Sequence, residues 1–325
     1  MMKIKKEVIL FTLKQLHQAR ELVHQVFSAT PQYAWPQLCE ACGCEVWVKH
    51  ENHTPTSAFK VRGGIVLIDA LMRLENPPKG LISATIGNHG QSLAFAGKRV
   101  GLPVTIVVPE GNNEDQNRAI RSHGASLVVY GHDFEAARQH SLTLQHELGY
   151  RAVAPFEHEL VLGAATYALE LFNAVSELDT VYVPIGMGSG IAGVIKTRDL
   201  LGISTKIVGV VAEGAPTFAL SFAAGKIVNT DTAQTIADGV KTRSPMYEAF
   251  EIINKGCDRI VQVSDNEIAK AMQQYYQATH NLAEGAGAIT LAALNKEKEQ
   301  MAAKKVAIIL TGSNIDYQRF TQYIN

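Results

Sequence analysis

Eight short runs rich in β-branched residues recur along this chain, and longer segments with apolar residues three and four positions apart lie between them. The runs are Glu45 to Lys49, Gly80 to Ala84, Val104 to Val108, Ser126 to Val129, Thr180 to Val183, Ile207 to Val211, Arg259 to Val263 and Val306 to Leu310. Helical spacing marks Gln91 to Arg99, Asn112 to His123, Phe134 to Leu148, Gly163 to Val175, Asp265 to Ala278 and Ala286 to Ala293. That alternation predicts parallel strands joined by crossover helices, an α/β protein. Turn-forming clusters such as Pro77-Pro78-Lys79-Gly80, Pro109-Glu110-Gly111 and Gly131-His132-Asp133 fall at the strand boundaries. At 325 residues, 46% of them hydrophobic, the chain can fill two cores at roughly 150 residues per domain. It has no internal repeat and no Pro/Ser-rich linker, so the second domain is expected as an insertion. Residues 67–157 form that smaller unit, and 1–66 with 158–325 the larger one.

Thirty basic residues against 31 acidic ones leave a net charge of −1, which supplies no basic field for nucleic acid or an anionic membrane surface. The expected partner is a small molecule. Four cysteines (Cys39, Cys42, Cys44 and Cys257) make no disulfide framework and suit a reducing, cytoplasmic setting. Lys3, Lys5 and Lys6 followed by Val8 to Leu13 imitate a signal peptide, but that apolar run is six residues long and Lys14 ends it. No stretch reaches the eighteen or so apolar residues that a bilayer crossing needs.

Four segments could carry chemistry. In Lys49-His50-Glu51-Asn52-His53-Thr54-Pro55-Thr56-Ser57-Ala58-Phe59-Lys60-Val61-Arg62-Gly63-Gly64, a polar loop leads from a strand into a helix that Lys60 opens. An ammonium there faces the positive helix end, which favours the free, nucleophilic amine; a solvated surface lysine is the competing reading. Ser83-Ala84-Thr85-Ile86-Gly87-Asn88-His89-Gly90-Gln91-Ser92 aims amides and hydroxyls at one spot, either a carboxylate cradle or an ordinary capped turn.

Val183-Pro184-Ile185-Gly186-Met187-Gly188-Ser189-Gly190-Ile191-Ala192-Gly193 allows the backbone to wrap a phosphate. Its spacing imitates a dinucleotide fingerprint, yet Val210 and Val211 precede Glu213 where a ribose-binding acid is due, so a phosphate without a nucleoside fits better. Leu310-Thr311-Gly312-Ser313-Asn314 closes the last strand with a hydroxyl able to bond a ring nitrogen, or is a plain turn. An amine, a carboxylate cradle, a phosphate cup and a ring-nitrogen partner are together what a pyridoxal-phosphate enzyme of amino-acid chemistry requires.

The chain resembles the fold-type II pyridoxal-phosphate enzymes, specifically the threonine/serine dehydratase and serine racemase branch, over nearly its whole length. Ser57 to Gly63 resembles the Schiff-base lysine segment, Thr85 to Gln91 the asparagine loop and Gly186 to Gly190 the phosphate cup. Ala237-Asp238-Gly239-Val240, Glu284-Gly285-Ala286-Gly287 and Thr311-Gly312-Ser313-Asn314 continue the match in the family's order. The resemblance implies two open, twisted, mainly parallel sheets flanked by helices, as in the tryptophan synthase β chain, and a homodimer.

It further implies that Lys60 carries the cofactor and acts as general base, and that Phe59 and Asn88 flank its ring. Gly186, Met187, Gly188, Ser189 and Gly190 would bind the phosphate, and Thr311 the pyridine nitrogen. Thr85, Asn88 and His89, with Asp238 as a weaker candidate, would meet the substrate. The implied reaction removes water and ammonia from L-threonine or L-serine. A dehydratase of 3-hydroxyaspartate, a serine racemase, a β-replacing synthase and a non-catalytic relative are the alternatives.

Two departures from the family pattern matter. Related racemases place a serine where Ile86 stands, and isoleucine cannot move a proton, so little racemisation is expected. Cation-binding relatives follow the counterpart of Glu213 with an acid six positions on, and here that residue is Ala219. The chain ends at Asn325, soon after the ring-nitrogen segment, so the regulatory domain of biosynthetic threonine dehydratases and inhibition by isoleucine are not expected.

Among blander features, Cys39, Cys42 and Cys44 near His50 and His53 suggest zinc only weakly, because paired CxxC motifs are missing. His123, His140 and His146 read as solvated helix-face residues. Asp238 and Glu284 could reach substrate or ring, or cap helices.

Overall fold

The structure, a computed structural model, describes residues 10–325. The leader-like cluster Lys3, Lys5, Lys6 and Val8 lies outside the described residues. Ten strands form two sheets among them. The six-stranded sheet runs β1 (Gln32–Ala34), β2 (Glu45–His50), β10 (Lys305–Leu310), β7 (Thr180–Pro184), β8 (Lys206–Ala212) and β9 (Arg259–Val263). Only β1 is antiparallel to its neighbour; the other pairs are parallel. The four-stranded sheet, all parallel, runs β5 (Ser126–Val129), β4 (Val104–Val108), β3 (Leu81–Ala84) and β6 (Arg151–Ala152).

All eight strands expected from the sequence are present. β1 and β6 were not anticipated, since runs of three and two residues cannot display an alternation. Parallel strands under helices are apolar on both faces, and β4 (VTIVV) is buried along its whole length.

The helices are α1 (Leu13–His24), α2 (Pro36–Cys42), α3 (Lys60–Met72), α4 (Asn88–Val100), α5 (Glu114–Ser122), α6 (Phe134–Leu148) and α7 (His158–Ala174). They continue with α8 (Ser189–Leu201), α9 (Thr217–Ala224), α10 (Tyr247–Gly256), α11 (Asp265–Thr279), α12 (Gly285–Lys296) and α13 (Tyr317–Ile324). α9 (TFALSFAA) is apolar nearly all round, so it carries no readable period. α1 does carry one, burying Leu16, Ala19 and Val23 behind a capping box of Thr12 and Gln15.

α3 is the helix that matters for the site. It packs against α4 and α7 at backbone distance: a Cβ on Gly163 would lie 2.4 Å from the Arg62 carbonyl, and one on Gly64 would lie 2.4 Å from Ser92 Oγ. Only glycine fits either contact, so the helix that starts with Lys60 is locked between its two neighbours. One large core lies where α7 and α8 cover one face of the six-stranded sheet, and a second where α11 and α12 cover the other.

Candidate active site

The loop from β2 to α3 is stitched to the end of β10. Phe59 N donates to Thr311 O (3.0 Å), Ser313 N donates to Ser57 O (3.0 Å), and Ala58 bridges Gly312. Lys60 therefore stands at the carboxyl end of the parallel strands, where open α/β sheets gather ligands. Its Nζ donates to Ser189 Oγ at 3.2 Å and lies 5.0 Å from the Phe59 ring centroid. No carboxylate among the described residues pairs with it. Burial pulls its pKa down from 10.5 to about 8, so a usable share is free amine near neutral pH.

Ser189 begins α8 directly after the glycine segment. Gly188 takes φ +99°, a left-handed conformation, and α8 has no side-chain cap, so the amides of its first turn are free to hold an anion. The cup is also close-packed from behind: a Cβ on Gly186 would stand 2.2 Å from Gly239 O. Tyr167, stacked edge-on to Phe59, donates its hydroxyl to Gly190 O at 3.3 Å.

Opposite the cup, α4 starts at Asn88. The Asn88 side chain is held at both ends, Nδ2 donating to Glu284 Oε1 (2.8 Å) and Oδ1 accepting from Asn314 Nδ2 (2.7 Å). Thr85 is half-buried just before it. His89 is buried, its Nε2 has no partner, and burial followed by the charge of Lys60 pulls its pKa down to about 3. Glu284 is driven the other way, up to about 8, mainly by burial and then by Asp238, with Asn88 opposing. Thr311 Oγ1 donates to Ala286 O at 3.1 Å, leaving a neutral hydroxyl at the end of β10.

Comparison with known proteins agrees with this arrangement. The family model described as "Pyridoxal-phosphate dependent enzyme" matches residues 23–312. The chain belongs to the pyridoxal-phosphate dependent enzymes. It is 32% identical over 317 residues to an L-threonine ammonia-lyase of Thermotoga maritima, covering 97% of this chain and 79% of that protein. It is also 32% identical over 308 residues to an L-threo-3-hydroxyaspartate ammonia-lyase of Saccharomyces cerevisiae, covering 94% of each. Among solved structures, maize serine racemase superposes with a TM-score of 0.90 at 28% identity, covering 96% of both chains.

The residues present fit the cofactor of this pyridoxal-phosphate family. The free amides of α8 and the glycine cradle suit a phosphate, and an amine with no counter-charge and a lowered pKa, 3.2 Å from Ser189 Oγ, suits an aldehyde partner. Of the residues singled out from the sequence, Phe59, Lys60, His89 and Ser189 line one pocket, Thr311 is bonded to Phe59 through the backbone, and Gly190 lies against the Phe59 ring.

Asp238 departs from the expectation. Its carboxylate is exposed and held by Lys241 Nζ (2.5 Å) and Arg319 (3.4 Å), while the carbonyl of Gly239 is what packs against the cup. Glu284 is the less exposed of the two carboxyls, and although it stands at the N-cap of α12 its side chain makes no cap bond. Glu213 is exposed with Lys296 3.5 Å away, a cation where a metal would compete. Burial pushes the thiols of Cys42 and Cys44 up to about 12 and about 11, the opposite of what a zinc thiolate needs. His50 accepts from Trp35 Nε1 at 2.9 Å, and His53 bonds Asn281 at 2.7 Å. His146 is exposed, but His123 is half-buried against Phe95 and His140 stacks on Tyr130 at 3.8 Å, so neither is simply solvated.

One constellation was not foreseen. Arg62 is fully buried and bonded by Glu51 (2.7 and 3.0 Å) and Glu170 (2.7 and 2.8 Å), and Lys49 Nζ reaches Glu170 at 2.7 Å. The only advance signal was an arginine inside the apolar run Val61 to Leu67.

Proposed function

We propose that this enzyme removes water and ammonia from L-threonine or L-serine, giving 2-oxobutanoate or pyruvate. The observation that carries the reading is the Nζ of Lys60, without a counter-charge, set 3.2 Å from Ser189 Oγ at the mouth of an anion cup. Its similarity to an L-threonine ammonia-lyase supplies the substrate class.

When bound, pyridoxal phosphate supplies an electron sink that acidifies the Cα–H of the amino acid joined to it. Lys60 would hold it through Nζ, and the same nitrogen, as a free amine, would take the Cα proton as general base. The α8 amides with Gly186 to Gly190 and the hydroxyl of Ser189 hold the phosphate. Thr311 would offer the ring nitrogen a hydroxyl that brings no charge, which would temper the sink and favour loss of the β-hydroxyl over transamination. Phe59 would flank the ring, and Asn88, fixed by Glu284 and Asn314, would meet its phenolic oxygen. The amides opening α4, with Thr85, take the substrate carboxylate. Ile86 in the same loop has no proton to exchange, which argues against racemisation.

Residues 67–157, which carry this loop, are our candidate for the smaller domain, and the family resemblance supports a cytoplasmic homodimer. A second reading, lysis of 3-hydroxyaspartate, draws on the yeast relative. A panel of L-threonine, L-serine, D-serine, 3-hydroxyaspartate and O-acetylserine with sulfide tests the assignment. Keto acid and ammonia from threonine or serine are expected; thiol products or D-serine as the main outcome would overturn it.

A further inference from the structure

We propose that His89 is the group that recognises the hydroxyl on the substrate's Cβ, in a pocket that it shares with Lys60 and whose other walls are largely apolar. This rests on the dehydratase reading above and moves His89 from the carboxylate, where family resemblance placed it, to the side chain. In this narrow pocket Pro155, Leu160 and Ala164 form apolar walls, and Lys60, His89 and Ser189 are polar members.

Three buried side-chain N or O atoms lack a partner among the described residues, and His89 Nε2 is the one beside Lys60. Folded proteins keep few such atoms, and one on a side chain that lines a ligand pocket is accounted for when the ligand completes it. A hydroxyl both donates and accepts, so it satisfies Nε2 in either tautomer.

A carboxylate is the poorer match. It needs several donors, which the free amides of α4 provide, whereas an imidazole kept neutral by burial offers a single N–H and no charge. The same low pKa leaves His89 without a proton to give near pH 7, so it recognises the hydroxyl and does not protonate the departing oxygen. The apolar walls suit the methyl of threonine. The second carboxylate of 3-hydroxyaspartate would find no arginine and no lysine other than Lys60 in this pocket.

The test compares kcat/KM for L-threonine, L-serine and β-chloro-L-alanine in the holoenzyme and in His89→Ala and His89→Gln. β-Chloroalanine has the same amine and carboxylate but no hydroxyl. Losing this contact is expected to lower the threonine and serine values by about 10- to 100-fold in His89→Ala. The β-chloroalanine value should fall at least tenfold less, and His89→Gln should restore part of the difference. Equal losses on all three substrates would return His89 to the carboxylate and overturn the proposal. No loss on any would also overturn it. If His89→Ala fails to hold the cofactor by visible absorbance, His89→Gln is read against the same ratio. A wild-type preference for 3-hydroxyaspartate over threonine would refute the pocket assignment while leaving a lyase. Absence of keto acid from both threonine and serine would sink the dehydratase reading itself, and this assignment with it.

Discussion

Lys60 and Arg62 stand two residues apart at the start of α3, the first half-buried and the second fully buried, and the protein treats them in opposite ways. Two positions along a helix turn roughly 200°, so the side chains leave on opposite faces. Arg62 and Lys49 meet the carboxylates of Glu51 and Glu170, the latter also bonded by His24, and the guanidinium is held above its ordinary range because Glu51 and Glu170 outweigh burial. Glu170 is correspondingly held down to about 2: burial alone would raise it, and Arg62 and then Lys49 reverse the direction. Lys60 receives no counter-charge, and burial acts on it unopposed. Paired charge under α3 fixes where the helix begins; the unpaired amine on the other face is left reactive. His89 and Glu284 share the condition of Lys60, each shifted chiefly by burial toward its uncharged form.

Replacing residues on the two faces should separate chemistry from architecture. Lys60→Ala removes both anchor and base, and keto-acid formation should fall by several orders of magnitude while circular dichroism and the denaturation midpoint stay near wild type. Unfolding of that variant would mean that Lys60 belongs with the structural charges. Arg62→Met leaves Glu51 and Glu170 buried without their guanidinium, and urea denaturation should show a loss of about 3–5 kcal/mol. Arg62→Lys should recover little, since an ammonium cannot bond two carboxylates side by side. A change below about 1 kcal/mol would show that the four charges do not act as a unit.

Glu284→Gln gives a smaller, pH-dependent effect. The folded pKa near 8 lies above the ordinary 4.5, so the native state keeps a proton that the unfolded chain releases. Wild-type apoprotein should therefore lose stability as pH rises from about 5 to 8, by up to about 1.4 kcal/mol per unit, and the glutamine variant should not. Parallel stability curves for the two proteins would place an ionised carboxylate at Glu284.

Legibility from sequence follows the same division. Lys60, the Asn88 loop and the Gly186–Gly190 cup announce themselves because glycines, small hydroxyls and a strand-to-helix break are local features within a few residues. The charges under α3 do not: Lys49 and Glu170 are 121 positions apart, and no period links single charges on β2, α3 and α7. Asp238 and Glu284 read alike as carboxylates beside glycines. What separates them is tertiary: Lys241 three residues on and Arg319 draw Asp238 outward, whereas Asn88 meets Glu284 inside the cleft. The eight longer strands were legible from their β-branched runs, and the two-residue β6 exists only through its pairing with β3.

The central claim is that the amine on the unpaired face of α3 carries the cofactor. Borohydride reduction of the holoenzyme followed by peptide mass mapping tests it directly. A reduced pyridoxyl-phosphate adduct on the peptide containing Lys60, with loss of the visible absorbance, is the predicted result. An adduct confined to another lysine, or protein saturated with pyridoxal phosphate that yields no reducible adduct, would contradict it.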